Sequence, residues 1–479
     1  MLSQLSVLIF LPLLEILASV FARKHKVFHV TLLAIVSIFS LILSISLPIS
    51  QNIYFIDFGF VKLKFMCDIY AYFFGILVNI VWILTNLYSH SYTTISIHRH
   101  KINEFFRYIS LSIFSVFGIC YAGDLITTFI FCILLTLFTA PLLVQHETKE
   151  ARSARNIYLV THLVTSFLLL LPAILLVWYF TGSLDFNSTF PLKAIGNDYL
   201  SAVILFLFVF GISKNCIFPF YKWITEATVA PTPVSGLLHS VAAVKSGSIM
   251  MVKIVVYIFG MDYISHLTNS FFTGGWIFYL CGGTALYAAW KAWKTTNVKH
   301  RFAYSTISQL SYILSSFMLG THLAIMAGVL HVISHSICKI VLFYISGIYS
   351  AVYGVYSTKE AAKLAPHIKP WIACFAFCGA SIIGLPFLPG SFGKDYMIIA
   401  DWKTHHYASI LFLVAGSIIN ILYIYPLVKA GFFTKNPQPI VKKPIPLTMR
   451  LAIILGVALA IAMSVFISNI INFFTLYNV

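Results

Sequence analysis

The stretch HVISHSICK places His331, His335 and Lys339 at i, i+4 and i+8, so three titratable side chains share one helical face, one turn apart. Imidazole titrates near neutrality, and a lysine ammonium is easier to deprotonate once it is taken out of water. A stripe of this kind can hand protons along where the gaps between its members are bridged. A second cluster runs through GISKNCIFPF and TEATVAPTPVSGLLHSVAAVKSG, which carry Lys214 before Pro219, then His239 and Lys245 after Pro231 and Pro233. Proline frees backbone groups that must be satisfied elsewhere, and an interrupted apolar helix beside a buried charge is a common way to build an ion site at membrane depth. The segment GLPFLPGSFGKDY repeats the theme, with Pro386, Pro389 and Gly390 ahead of Lys394, and its likeness to the Lys214 segment points to an internal repeat. Glu226 is a candidate charge partner for Lys214 or Lys245. Glu15, in the first apolar run, has no identifiable partner.

The elements that must position these groups are apolar helices. Of the 479 residues 60% are hydrophobic and only 9% charged, and mean hydropathy is +0.92, an imbalance that excludes a water-soluble enzyme. Apolar runs long enough to cross a bilayer centre near residues 12, 38, 77, 115, 135, 168, 210, 248, 280, 311, 335, 382, 417 and 462, which predicts an all-α polytopic membrane protein of about fourteen transmembrane helices. The run from Met1 to Phe21 is read as a retained first helix. Between the second and third runs, NIYFIDFGFVKLKF (52–65) alternates apolar and polar residues around a glycine, which suits a short interfacial hairpin.

The formal charge of +17 is not a nucleic-acid signature, because most of the 31 lysines and arginines fall in the loops after odd-numbered runs. By the positive-inside rule those loops face the cytoplasm and the N-terminus lies outside. Six lysines remain at or within runs: Lys214, Lys222, Lys245, Lys253, Lys339 and Lys394. Each costs at least about 2.5–3.5 kcal/mol at the bilayer centre, so most need a cavity, a partner or a task. Lys222 and Lys253, near run ends, are expected to snorkel to the membrane surface. The eight cysteines sit in apolar runs without metal-ligand spacing and read as buried thiols, Cys374 and Cys378 included, although those two are one turn apart.

Four ordered segments, KNCIFPFYKWITEATVAPTPVSGLLHSVAAVKSG, VKHRFAYSTISQLSYI, HVISHSICKIVLFYISG and GLPFLPGSFGKDY, resemble the proton-translocating antiporter-like subunits shared by NADH:quinone oxidoreductase and the Mrp-type multisubunit cation/proton antiporters. Together they cover about residues 205 to 400. The run LLHSVAAVKSG followed by KIVVYIFG resembles the Mrp D-type subunit most. The resemblance implies two inverted five-helix repeats, each with a broken helix, and a polar axis through the membrane. It divides the chain into N-terminal helices with the hairpin (1–105), a first repeat (106–262), a second repeat (263–428), and a basic proline-rich loop with a last helix (429–479). It places Lys214, His239, Lys245, Lys299, His331, His335, Lys339 and Lys394 on the proton path.

Two departures stand out. The glutamate that the family carries in the fifth span is absent from FIFCILLTLF, where Cys132 and Ile133 stand, and the acidic residue ahead of the AYST lysine is Asn297 here. The implied role is a proton-translocating subunit of a multisubunit Na+/H+ antiporter in the bacterial inner membrane. Its implied partners are other membrane subunits, lipid, protons and sodium, with no cofactor and no nucleic acid. The alternatives are a proton-pumping subunit of a respiratory NADH:quinone oxidoreductase-like complex and a non-conducting structural paralogue.

Overall fold

A computed structural model describes residues 4–19, 26–57, 62–186, 191–434 and 443–476. Arg23, Lys24, Lys435 and Lys442 of the basic loops lie outside the described residues. The chain is mostly helical, as lipid demands of a segment that must satisfy its own backbone hydrogen bonds. Nine helices among the described residues are long and apolar enough to cross a membrane: Phe28–Ser46, Ile69–Ser96, Arg99–Cys120, Leu125–Leu143, Lys149–Thr181, Thr232–Phe259, His322–Val352, Tyr407–Phe433 and Leu447–Val465. The other apolar runs form helices that are shorter, such as Asp198–Gly211 and Lys369–Ile383, or more polar, such as Val298–Met318. The strands Ser50–Asp57 and Lys62–Cys67 pair antiparallel in the segment of alternating residues.

Helix starts follow local capping chemistry. Asp68, Asp124, Thr148, Asn197, Asn297 and Thr321 each accept a hydrogen bond from the backbone N–H three residues on, opening the helices that follow them. Asn297 therefore does what an aspartate would do at that position, because both are good N-caps.

Burial separates the centre from the rim. In Thr232–Phe259 and His322–Val352, 94% of the most apolar window is buried, against 33% in Phe28–Ser46, Lys149–Thr181, Tyr407–Phe433 and Leu447–Val465. The rim helices turn large apolar side chains outward, among them Leu168, Leu411 and Val465, as lipid-facing helices do. The two central helices are the ones that carry His239, Lys245, His331, His335 and Lys339. All eight cysteines are free thiols.

Candidate functional site

The helix Asp198–Gly211 stops one turn short of Lys214. The chain continues as a single 3₁₀ turn, Ser213–Asn215, and Cys216 takes a left-handed conformation (φ 57°) before the short Lys222–Glu226 helix. Lys214 sits in that turn, 1% exposed, and its Nζ donates to Thr136 Oγ1 at 2.8 Å. Thr136 lies one turn beyond Cys132, so a hydroxyl on the helix that lacks the expected glutamate receives the lysine. Beside the turn, His162 Nδ1 lies 2.7 Å from Ser213 Oγ, and Thr165 donates to the same oxygen at 2.8 Å. The ring of Trp223 packs edge-on against His162 at 4.5 Å and its Nε1 donates to Ser213 O.

The helix Val244–Lys253 crosses against this turn at Gly247, where a Cβ would stand 2.8 Å from Asn215 Oδ1 and 3.0 Å from Lys214 C. Glycine makes that close approach easy, and Lys245, two residues earlier, lies within electrostatic reach of Cys216. Lys245 is 1% exposed and its Nζ has no hydrogen-bond partner among the described residues. The preceding helix, Thr232–Ser240, ends at a kink over 241–243. The carbonyl of Ser240 freed there is taken by Ser336 Oγ at 2.7 Å.

Along His322–Gly347 the expected stripe is continuous and buried. The partners come from Val298–Met318: His331 Nε2 is 3.0 Å from Gln309 Oε1, and Lys339 Nζ donates to Ser305 Oγ at 2.8 Å over the ring of Phe302. His239 Nδ1 lies 3.2 Å from Thr306 Oγ1 of the same helix, its ring stacked on Phe343. Thus AYSTISQ supplies the hydroxyls and amide that hold the axis. Among the described residues neither buried ring nitrogen of His335 has a hydrogen-bond partner, and Lys245, Lys339, His331 and His239 all lie within electrostatic reach of that ring. The rings of His331 and His335 are 6.3 Å apart.

At the far end, Lys369–Ile383 stops at Gly384 (φ +94°) and a new helix, Pro389–Lys403, begins five residues on. Lys394 Nζ reaches back to the broken end, donating to Ile382 O (2.8 Å), Ile383 O (3.1 Å) and Ser417 Oγ (2.9 Å). A cavity of about 230 Å³ adjoins it, lined in part by Asp395, Ser417 and Ile421. Gly393 packs onto the backbone of His331, where a Cβ would come within 2.9 Å. Lys299 donates to Ala230 O at 2.8 Å and lines a cleft of about 510 Å³ with His146, His300 and Asn297. It is also within electrostatic reach of His239.

The structure thus gathers Lys214, Lys245, His239, His331, His335, Lys339, Lys394 and Lys299 into one connected series. Glu226 stands apart: it forms no ion pair with Lys214 or Lys245 and faces His300 and Tyr304 instead, because the Lys222–Glu226 helix turns it away from the break. Lys222 is exposed, in keeping with a surface lysine. Lys253 corrects the expectation that it snorkels. Its side chain is 1% exposed, its Nζ lies 3.1 Å from Asp68 Oδ2 and it donates to Ala122 O at 2.9 Å. Reading along the sequence missed this pair because Asp68 belongs to a distant segment, and it missed His162, which lies in an otherwise apolar run.

A multi-pass helical membrane protein with a buried lysine–histidine series is the class this fold and site define. Residues 122–420 match the family described as NADH:quinone oxidoreductase/Mrp antiporter, TM, and the chain belongs to it. It is 28% identical over 388 residues to a probable K(+)/H(+) antiporter subunit of Rhizobium meliloti, an alignment covering 79% of this chain and 37% of that one. It is 27% identical over 422 residues to the chloroplastic NAD(P)H-quinone oxidoreductase subunit 5 of Dampiera diversifolia, covering 83% of this chain and 54% of that one. The chain therefore spans about half or less of these relatives.

Among solved structures, its fold is similar to a chain of the membrane-bound sulfane sulfur reductase, an archaeal respiratory membrane complex (TM-score 0.85, 22% identity, 99% of this chain and 96% of that one). It is also similar to a chain of the Mrp complex from Dietzia sp. DQ12-45-1b (TM-score 0.80, 22% identity, 96% and 49%). These relatives and neighbours are subunits of multisubunit membrane complexes.

Proposed function

We propose that this chain is the proton-translocating membrane subunit of an Mrp-type Na+/H+ antiporter, seated in a bacterial inner membrane among other membrane subunits. The carrying observation is the series of buried lysines and histidines from Lys214 to Lys394, in which Lys214, His331, Lys339 and Lys394 are held by neutral hydroxyls, an amide and carbonyls. Neutral partners leave each group free to change its charge, whereas a carboxylate salt bridge would fix it. Protons enter through the Lys299 cleft, pass His239 and the His335 stripe, and leave by the cavity at Lys394. The two broken helices belong to two inverted five-helix repeats within about fourteen spans. Cation exchange and any redox chemistry lie in partner subunits, so the chain serves transport and is not a catalyst on its own.

A respiratory role is the second reading, favoured by the likeness to subunit 5 and by the sulfane sulfur reductase chain, which this chain covers almost end to end. The D-type likeness rests on LLHSVAAVKSG and its continuation alone. Co-purification from mild detergent with mass spectrometry of the partners separates the two: small antiporter-type subunits support exchange, and flavin and iron–sulfur subunits overturn it in favour of the pump. Lys339→Ala tests the axis itself. Full proton transport by an assembled Lys339→Ala complex would reduce the chain to a structural paralogue.

A further inference from the structure

Glu15 lies away from the lysine axis, on the Pro12–Ser19 helix, and is 1% exposed. Its Oε1 accepts from Asn86 Nδ2 and its Oε2 from Ser110 Oγ, each at 3.1 Å. The side chains that reach it, Asn86 and Trp82 from Ile69–Ser96 and Ser110 from Ile102–Cys120, are all neutral. Among the described residues it forms no ion pair.

Burying an ionised carboxylate costs several kcal/mol after relaxation. The hydrogen bonds from Asn86 and Ser110 offset part of that cost for the charged form. Burial favours the protonated acid and the two donors favour the carboxylate, so both states of this group have support in the pocket. The protonated form needs an acceptor for its O–H, and one stands ready. Asn86 Oδ1 is buried with no hydrogen-bond partner among the described residues, so turning the amide over offers an oxygen where the NH₂ now stands. On the same helix, Ser89 Oγ is likewise buried without a partner among them.

One turn beyond Asn86 comes His90, toward the end of the helix that leads into Arg99 and Lys101. His29, on Lys26–Ser46, is 2% exposed, has an unpartnered Nε2, and lies within electrostatic reach of His90.

We propose that Glu15 is a proton-binding carboxyl, separate from the lysine axis. Loading moves one proton onto a carboxylate oxygen, and unloading reverses it with no other bond changed. The site stands whether or not the axis conducts.

The test is infrared difference spectroscopy of the assembled complex across a pH series, comparing the parent with Glu15→Gln. The expected result is a carbonyl band of a protonated acid that titrates in the parent and is missing from Glu15→Gln. Ser110→Ala keeps the carboxyl and removes one donor to its charged form, so the same band should titrate about one pH unit higher. This variant also serves if Glu15→Gln fails to assemble. A parent spectrum with no band lost on Glu15→Gln, or a titration that Ser110→Ala leaves in place, overturns the proposal. So does a band that sodium chloride, and not choline chloride, removes at fixed pH, which would make the pocket an alkali-cation site.

Discussion

Lys214 and Lys394 both follow a broken helix, yet their ammonium groups are held in different ways. Lys394 rests on two backbone carbonyls at the end of Lys369–Ile383, with Ser417 as a third acceptor and Asp395 next in the chain. Lys214 rests on the side-chain hydroxyl of Thr136. The carbonyls at a helix C-terminus carry partial negative charge and come with the fold, whatever side chains surround them. The second half thus draws most of its acceptors from the backbone, whereas the first depends on side chains, Thr136 and Cys132, of a helix that could have supplied a carboxylate. The carboxylate–lysine pair of the first half lies elsewhere, at Asp68 and Lys253, fully buried and tied to the start of Ile69–Ser96.

The largest effect should come from that displaced pair. Asp68→Asn leaves Lys253 buried without its counter-charge and is expected to cost about 3–5 kcal/mol, read as lost assembly or a lowered Tm in detergent. Replacing both residues with apolar ones of similar volume should recover most of that. If Asp68→Asn alone is harmless, the first half has no fixed ion pair and the contrast fails.

Next, Lys214→Ala and Lys394→Ala should each lower proton transport in vesicles by about a hundredfold, on the scale of losing a positioned proton-transfer group. Loss with Lys394→Ala but not Lys214→Ala would sharpen the comparison, making the second half the sole conductor.

A smaller difference tests the acceptors directly. Thr136→Val should destabilise by about 2 kcal/mol because Lys214 Nζ loses its oxygen acceptor and keeps only the Cys132 thiol beside it, whereas Ser417→Ala should cost under about 1 kcal/mol because two carbonyls remain. Equal losses would show that the backbone does not carry Lys394.

The smallest effect is at the surface, in the loop between the Thr136 helix, Leu125–Leu143, and Lys149–Thr165. There Glu147 lies 3.4 Å from Lys101 and 3.7 Å from His100, and the hydrogen bond from Lys101 holds its carboxyl below the usual range. A carboxyl lowered in the folded state contributes stability above its unfolded value and loses it as pH falls through its folded value. Acidification into that range should loosen the loop to proteolysis in the parent and change nothing in Glu147→Gln.

The lysine–histidine stripe was legible because its members repeat every four residues on one continuous helix. The hydroxyls that hold it were not. Ser305, Thr306 and Gln309 look like ordinary helix residues until Val298–Met318 is laid against His322–Gly347. Alternation over 52–65 pointed to the strand pair, since successive side chains of an extended backbone point to opposite faces. Hydropathy failed at Lys253, where a position near a run end suggested escape to water while the fold supplied Asp68 from far along the chain. It also blurred the distinction between helices long enough to cross a membrane and shorter apolar ones, such as Asp198–Gly211.

The bond from Ser336 to the Ser240 carbonyl has a mechanical consequence. Ser336 also donates to Val332 within its own helix, and it is the neighbour of His335 in the chain. One hydroxyl therefore pins the elbow of the His239 helix to the middle of the histidine stripe, like a rivet through two levers. If that elbow flexes, the displacement is delivered at His335, and the spacing between the two sets of titratable groups changes at the point where they meet.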